Sequence, residues 1–317
     1  MDSNLVTLLI STPPVDNFIT LFEKIGNITD PFLAPIEITL KSSFKSLFPS
    51  LTENVSKFLE ENQSPLSARL PLMNPFHVFL ITIAYLSIIY FGKIYMSRRE
   101  KLTVKYLSIL HNFFLVSLSS YMFLTVSYEA WKNGYSLFAN PDVKSEEGFQ
   151  MAKYVWLFYV SKISEFTDTY IMVLKKNNHQ ISFLHVYHHC SIFVIWWIVT
   201  FIAPNGESYF SAALNSLVHV VMYGYYLSTT LSFPIRFLKR YITQFQMTQF
   251  VMMMIQATYD IIYFKVLHPE EKNTYPFSLT ALLWVYMVSM LALFANFYKA
   301  DRKREKVSKP VGDKKSR

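Results

Sequence analysis

Between residues 75 and 298 the chain alternates seven long apolar stretches with short polar connectors. The stretches run over roughly 75–96, 106–127, 152–174, 181–203, 208–229, 241–265 and 277–298. A bilayer core is crossed by about 20 apolar helical residues, so each stretch predicts one span. The connectors are "MSRREKLTVK", "EAWKNGYSLFANPDVKSEEGFQ", "KKNNHQ", "APNGE", "LSFPIRFLKR" and "VLHPEEKNTYP". Several hold Pro or Gly, where helices stop. The pattern predicts an all-α, polytopic membrane protein of seven helices over 74–299. An N-terminal tail (1–73) precedes them and a basic tail (300–317) follows.

Composition agrees: 317 residues are 52% hydrophobic and only 16% charged, with 7 Gly. Such a chain is not a string of soluble domains. The net charge of +8 does not point to nucleic acid, because nine of the 30 Lys and Arg lie between Lys299 and Arg317 and no aromatic-basic motif accompanies them. The single cysteine, Cys190, excludes an internal disulfide and a Cys-based metal site.

Basic residues orient the bundle. Arg98, Arg99, Lys101 and Lys105, then Lys175 and Lys176, then Arg236, Lys239 and Arg240 occupy alternate connectors, while the opposite set holds Lys132, Lys144 and Lys272. The first set is expected in the cytosol together with the C-terminus, which places the N-terminus in a lumen. Sequons at Asn27, Asn54 and Asn62 lie in the expected lumenal tail. The N-terminus lacks the basic region of a cleaved signal peptide, so the first span is expected to act as the signal. The final "KKSR" resembles a dilysine signal for return to the endoplasmic reticulum.

Ionisable groups inside a bilayer are costly and mark function. The third span holds "KISEFTDT", with Lys162, Glu165 and Thr169 on one helical stripe and Asp168 beside it. The fourth holds "HVYHH", with His185, His188 and His189 related as i, i+3 and i+4. Along the fifth, Asn215, His219, Met222, Tyr223 and Tyr226 share a face. His111 and Asn112 open the second span, and Thr243, Gln246 and Gln249 open the sixth. Under the expected topology these groups converge on the cytosolic half, whereas stretches such as "SIFVIWWIVTF" and "YFSAAL" are apolar. A bundle around a tunnel open to the cytosol follows, blind at a greasy lumenal end near Ser211 and Ala212. Its substrate has a polar head and a long apolar tail.

The bland readings differ in force. Isolated intramembrane Asn, Gln and Thr are often helix-packing groups, Lys162 with Glu165 can be a structural ion pair, and Cys190 reads as an inert thiol. Three imidazoles on one face resist such an account. A di-iron desaturase or hydroxylase is the rival, but two irons need many ligands. Here His77 and His268 lie at lumenal ends, His179 lies in a connector, and no second His box exists. A transporter or receptor without chemistry is the other alternative. A histidine acting as nucleophile or base needs no metal.

At these motifs the chain resembles the ELO family of very-long-chain fatty acid elongases. The resemblance runs over about 70–305 and rests on "LHNFFL", "KISEFTDT", "HVYHH", "NSLVHVVMYGYY" and "TQFQMTQF" in order. "LPLMNPFHVFLI", "KKNNHQISFLHVYHH" and "APNGESYFSAALNS" are similar to fungal elongases of C18 Δ6-polyunsaturated acyl chains. The resemblance implies condensation of acyl-CoA with malonyl-CoA to 3-oxoacyl-CoA, CoA and CO2, with malonyl-CoA as co-substrate and no cofactor or metal. It maps the nucleophile onto His188, with His219 opposite, and His185 and His189 orienting the box. Supporting roles fall to Lys162, Glu165, Asp168, Asn215, Tyr223, Gln246, His111 and Asn112, with Gln180 influencing acyl selectivity. Lys175 and Lys176 are placed to meet CoA phosphates. A homodimer and the other enzymes of the elongation cycle are the partners to expect. Residues 1–70 carry little of the pattern and no assigned role.

Overall fold

The computed structural model describes residues 14–233, 235, 238–270 and 275–308. Arg236, Lys272 and the "KKSR" signal fall outside the described residues.

Among the described residues two α-helices precede the predicted spans: α1 (Pro14–Leu47) and α2 (Pro49–Asn62). Most of the described part of the stretch read from sequence as a tail is thus helical. Helix α1 is amphipathic, with Leu21, Ile25, Ile28, Phe32, Ile36, Leu40 and Phe44 repeating every three or four residues on an exposed stripe. Asp16 pairs with Lys153 at 2.9 Å, and Glu37 accepts from Asn74 Nδ2 at 3.0 Å. These contacts tie α1 to the following bundle.

Among the described residues seven helices form that bundle: α3 (Pro75–Ser97), α4 (Lys105–Lys132), α5 (Phe149–Leu174), α6 (Phe183–Ile202), α7 (Ser208–Thr230), α8 (Leu238–Ile262) and α9 (Phe277–Ser308). Their starts follow local chemistry. Asn74 caps α3 by accepting from Phe76 N, with Pro75 in the first turn, where its missing N–H costs nothing. Ser182 caps α6 by accepting from His185 N. A π-turn, Tyr263–Leu267, ends α8.

Among the described residues five helices are long and apolar enough to cross a membrane: α3, α4 and α6, together with the apolar portions of α8 and α9. Helices α5 and α7 are of similar length but fall outside that set, and they carry the polar residues singled out above. Packing explains how they persist. Sixteen of the 26 residues of α5 are buried, against five of 23 in α3, so α5 hides its polar groups from lipid.

Helices α5, α4, α7, α8, α9 and α6 contact one another in that cyclic order, closing a ring, with α4 and α7 the most extensive pair. Helix α3 stands outside the ring against α5 and α6. Connectors alternate between its two ends. At one end Leu102 N donates to Leu174 O at 3.0 Å, joining the α3–α4 and α5–α6 connectors into a basic end. At the far end the α4–α5 and α6–α7 connectors meet, with Asn205 donating to Val143 O and accepting from Val143 N, each at 2.8 Å. Gly206 follows at φ 64°, where an added Cβ would lie 2.7 Å from Pro141 O. Only glycine suits that turn.

Candidate active site

His185, His188 and His189 occupy the first two turns of α6, and the surrounding side chains come from α3, α4, α5, α7 and α9. Glu165 is the hub of one network. Its Oε1 lies 2.7 Å from Lys162 Nζ and 3.2 Å from His219 Nδ1. Lys162 is 1% exposed, donates also to Asn215 Oδ1 at 3.2 Å, and rests 3.9 Å above the Phe158 ring. Asn215 Nδ2 donates onward to Gln249 Oε1 at 3.4 Å. A lysine this buried needs such partners, since an unpaired buried charge is costly.

Asp168 holds a second network. One oxygen meets His111 Nε2 at 2.9 Å and the other accepts from Tyr223 OH at 2.7 Å. Asn112 is buried beside His111. On the α6 side, His185 Nε2 lies 2.8 Å from Thr169 Oγ1, which lies 2.9 Å from Tyr85 OH. His189 packs its ring 4.4 Å from that of His185 and 5.7 Å from that of His188, and its Nδ1 is buried without a partner. His188 Nδ1 faces Tyr286 OH of α9 at 3.4 Å.

His188 opens onto a cavity enclosed by α6, α7, α8 and α9. About 730 Å³ is free of protein atoms, mouth included, but the centre of a water-sized sphere reaches only about 60 Å³. The space is therefore narrow. Asn215, Gln249 and Tyr286 share its His188 end, and Ile195, Trp196, Val199, Met253 and Leu283 line its course. From Gln249 to Asp260 along α8 is eleven residues, about 16 Å of helix rise.

The far end corrects the expectation of a greasy terminus. Glu207, Gln256, Asp260 and Tyr275 line it. Glu207 accepts from Asn140 N, Asn140 Nδ2 and Gln256 Nε2, and Ala139 N donates to Asp260 at 3.2 Å. Burial, reinforced by the Asp260 carboxylate, pushes Glu207 up to about 8. Burial raises Asp142, in the adjoining connector, to about 6, and neither of its oxygens has a hydrogen-bond partner.

Other expectations shift. Gln246 Nε2 donates to Met222 Sδ at 3.3 Å and does not line the cavity, which Gln249, about one turn on, reaches instead. Positions 246 and 249 lie on neighbouring faces, so the helix register decides between them. Lys175 lines an open depression at the basic end with Lys101, Lys105, Asn177 and Thr229, and donates to Ser108 Oγ at 2.8 Å. Lys176 turns away to Arg99 O at 3.0 Å and does not line it. Gln180 is exposed in its connector, where its Oε1 accepts from Asn177 at 3.3 Å, and does not line the cavity. Tyr286, Ser191 and Tyr85 escaped the sequence reading because tyrosine and serine in apolar helices signal nothing by themselves. Asp260, a lone carboxylate in an apolar helix, carried a usable signal.

Among the described residues no three His, Cys, Asp or Glu side chains gather as metal ligands would. The imidazoles have other neighbours: a carboxylate for His111 and His219, a hydroxyl for His185 and His188, and aromatic rings for His189.

Fold and site together define a polytopic all-α membrane protein that sets an imidazole at one end of a narrow, enclosed channel. The GNS1/SUR4 (ELO) family profile matches residues 70–310, and the chain belongs to that family. Its relatives include fatty acid elongase 6 of Leishmania major, 42% identical over 83% of this chain and 70% of that protein. Human very long chain fatty acid elongase 5 is 36% identical over 83% of this chain and 82% of that protein. Mouse very long chain fatty acid elongase 2 is 36% identical over 74% of this chain and 79% of that protein.

Proposed function

We propose that the chain is the condensing enzyme of fatty acid elongation, joining a long-chain acyl-CoA to malonyl-CoA and releasing 3-oxoacyl-CoA, CoA and CO2. The observation that carries this reading is His188 at one end of a narrow, largely apolar channel, with His219 held by Glu165 one helix away. The similarity to named fatty acid elongases supports it.

A neutral imidazole nitrogen of His188 attacks the thioester carbonyl carbon. The C–S bond breaks, CoA departs as thiolate, and the acyl group stays on the ring. Malonyl-CoA then loses CO2, its enolate carbon attacks the acyl carbon, and the C–N bond breaks to restore the imidazole. His219 donates Nδ1–H to Glu165, which leaves its Nε2 free to take a proton during either step. Lys162 balances the Glu165 charge. His185 and His189 orient the box and donate toward developing oxyanion charge. Asp168, with His111 and Tyr223, braces α4 and α7 against α5, while Asn112 stays a candidate donor toward the thioester. No metal takes part.

The Lys101, Lys105 and Lys175 depression suits the phosphates of CoA. We assign the basic end to the cytosol, the far end to the lumen, and the protein to the endoplasmic reticulum membrane. The preferred substrates are C18 Δ6-polyunsaturated acyl chains. Purified protein supplied with individual C16 to C22 acyl-CoAs and malonyl-CoA tests both levels. A malonyl-dependent 3-oxoacyl product, highest with C18 polyunsaturated chains, is expected. Product without that preference removes the specificity, and no condensation product with any chain removes the function.

A further inference from the structure

Ser191, Tyr286 and His188 form a chain of polar contacts whose hydrogens can be assigned. Ser191 Oγ lies 2.6 Å from Tyr187 O, a backbone carbonyl that only accepts. At that separation the serine hydrogen must lie between them, in the i to i−4 bond common for serine in helices. Ser191 Oγ also lies 2.9 Å from Tyr286 OH. The serine hydrogen is spent, so the tyrosine donates there. Tyr286 has one hydrogen, so toward His188 Nδ1, at 3.4 Å, its oxygen can only accept. The hydrogen in that contact belongs to Nδ1.

A second relay keeps Tyr286 in place. Ser289 Oγ donates to Tyr286 O at 2.7 Å, and Tyr187 OH lies 3.3 Å from Ser289 Oγ, so the Tyr187 hydroxyl donates there. Both relays bridge α6 and α9 beside the cavity. A neutral imidazole with hydrogen on Nδ1 has its lone pair on Nε2.

We propose that Tyr286, directed by Ser191, is a positioning residue that holds His188 as the Nδ1–H tautomer and so presents Nε2 as the attacking nitrogen. This rests on the reading of His188 as nucleophile. Tyr286 acts through His188 and transfers no proton itself. Ser191 has a counter-intuitive part: without it, the Tyr286 hydrogen is free to turn onto Nδ1, which moves the imidazole hydrogen to Nε2 and removes the nucleophilic lone pair.

The test combines acylation kinetics with a direct view of the tautomer. CoA release on mixing with acyl-CoA alone is followed in wild type, Tyr286→Phe, Ser191→Ala, Ser191→Thr and the Tyr286→Phe/Ser191→Ala double variant. Each single removal is expected to slow acylation about tenfold or more with KM for acyl-CoA little changed. Ser191→Thr, which keeps the hydroxyl, is expected to restore the rate. The double variant is expected to be no slower than the slower single one, because both changes act on one equilibrium. A purely structural role predicts compounding losses, a raised KM and no rescue, and those results overturn the proposal. Nitrogen NMR of 15N-histidine-labelled protein, with His188→Gln to assign the signal, is expected to show protonated Nδ1 in wild type and a shift toward protonated Nε2 in Ser191→Ala. Unprotonated Nδ1 in a wild-type protein that still forms the acyl adduct overturns the tautomer assignment alone. Protonated Nδ1 without any acyl adduct overturns the nucleophile reading alone.

Discussion

The two ends of the cavity are both polar and both buried, yet their hydrogen bonds are made differently. At the His188 end these imidazoles each meet a side chain from another helix: Glu165 for His219, Thr169 for His185, Tyr286 for His188. At the far end backbone amides of Ala139 and Asn140 donate to Asp260 and Glu207. Side-chain partners fix one nitrogen of an imidazole and leave the other available. Backbone partners tie a connector to a helix. The first arrangement is suited to chemistry and the second to closing the ring of helices, so similar buried carboxylates serve different ends.

The largest break in this comparison comes at Glu165. Glu165→Gln leaves Lys162 buried without its counter-charge, a loss of about 3–5 kcal/mol for a buried pair, and also frees His219. Thermal unfolding in detergent should show a large drop in Tm, and condensation should vanish. Replacing both partners, Lys162→Met with Glu165→Leu, should recover much of the Tm and none of the activity. Activity returning with stability would show that the pair is structural only.

A smaller effect is expected along the channel. Ser211 and Ala212 lie on α7 near the far end, both buried, and Ser211 lines the cavity. Ser211→Phe narrows the far part without touching an imidazole. Products should shorten by about one elongation step, because the larger side chain takes up space at the end that the acyl tail reaches. An unchanged product distribution in the mass spectrum would remove the far end from length control.

The smallest effect is thermal. Glu207 is raised to about 8, so the folded protein binds this proton more tightly than the unfolded chain. The associated stability is complete below the ordinary carboxyl range and is lost as pH rises toward 8. Tm should therefore fall by a few degrees between pH 6 and 9, because about 1 kcal/mol moves Tm by ~2–4 °C in a protein of 150–250 residues. Glu207→Gln should flatten that slope. An equal slope in the variant would locate the pH sensitivity elsewhere.

Sequence periodicity located the starts of α3 to α9 closely, because apolar runs and Pro-containing connectors are local signals, but α4 and α9 run on past the predicted ends at 127 and 298 to Lys132 and Ser308. It also selected Lys162, Glu165, Asp168 and the three box histidines, because ionisable residues in apolar helices are conspicuous. Two kinds of information stayed hidden. Whether Gln246 or Gln249 faces the cavity depends on the rotation of α8 against α7, which tertiary packing sets. The far-end cluster joins Asn140, Glu207 and Asp260 across distant parts of the chain, and "APNGE" on its own reads as a connector.

The central claim is that His188 carries the acyl group between the two half-reactions. Protein mixed with acyl-CoA and no malonyl-CoA should release at most one equivalent of CoA in a burst, gain the mass of one acyl group on the peptide containing His188, and lose that mass to hydroxylamine. His188→Ala should show neither burst nor adduct. CoA release that waits for malonyl-CoA, with no adduct trapped on His188, would contradict the account and make the histidine a base in a direct ternary reaction.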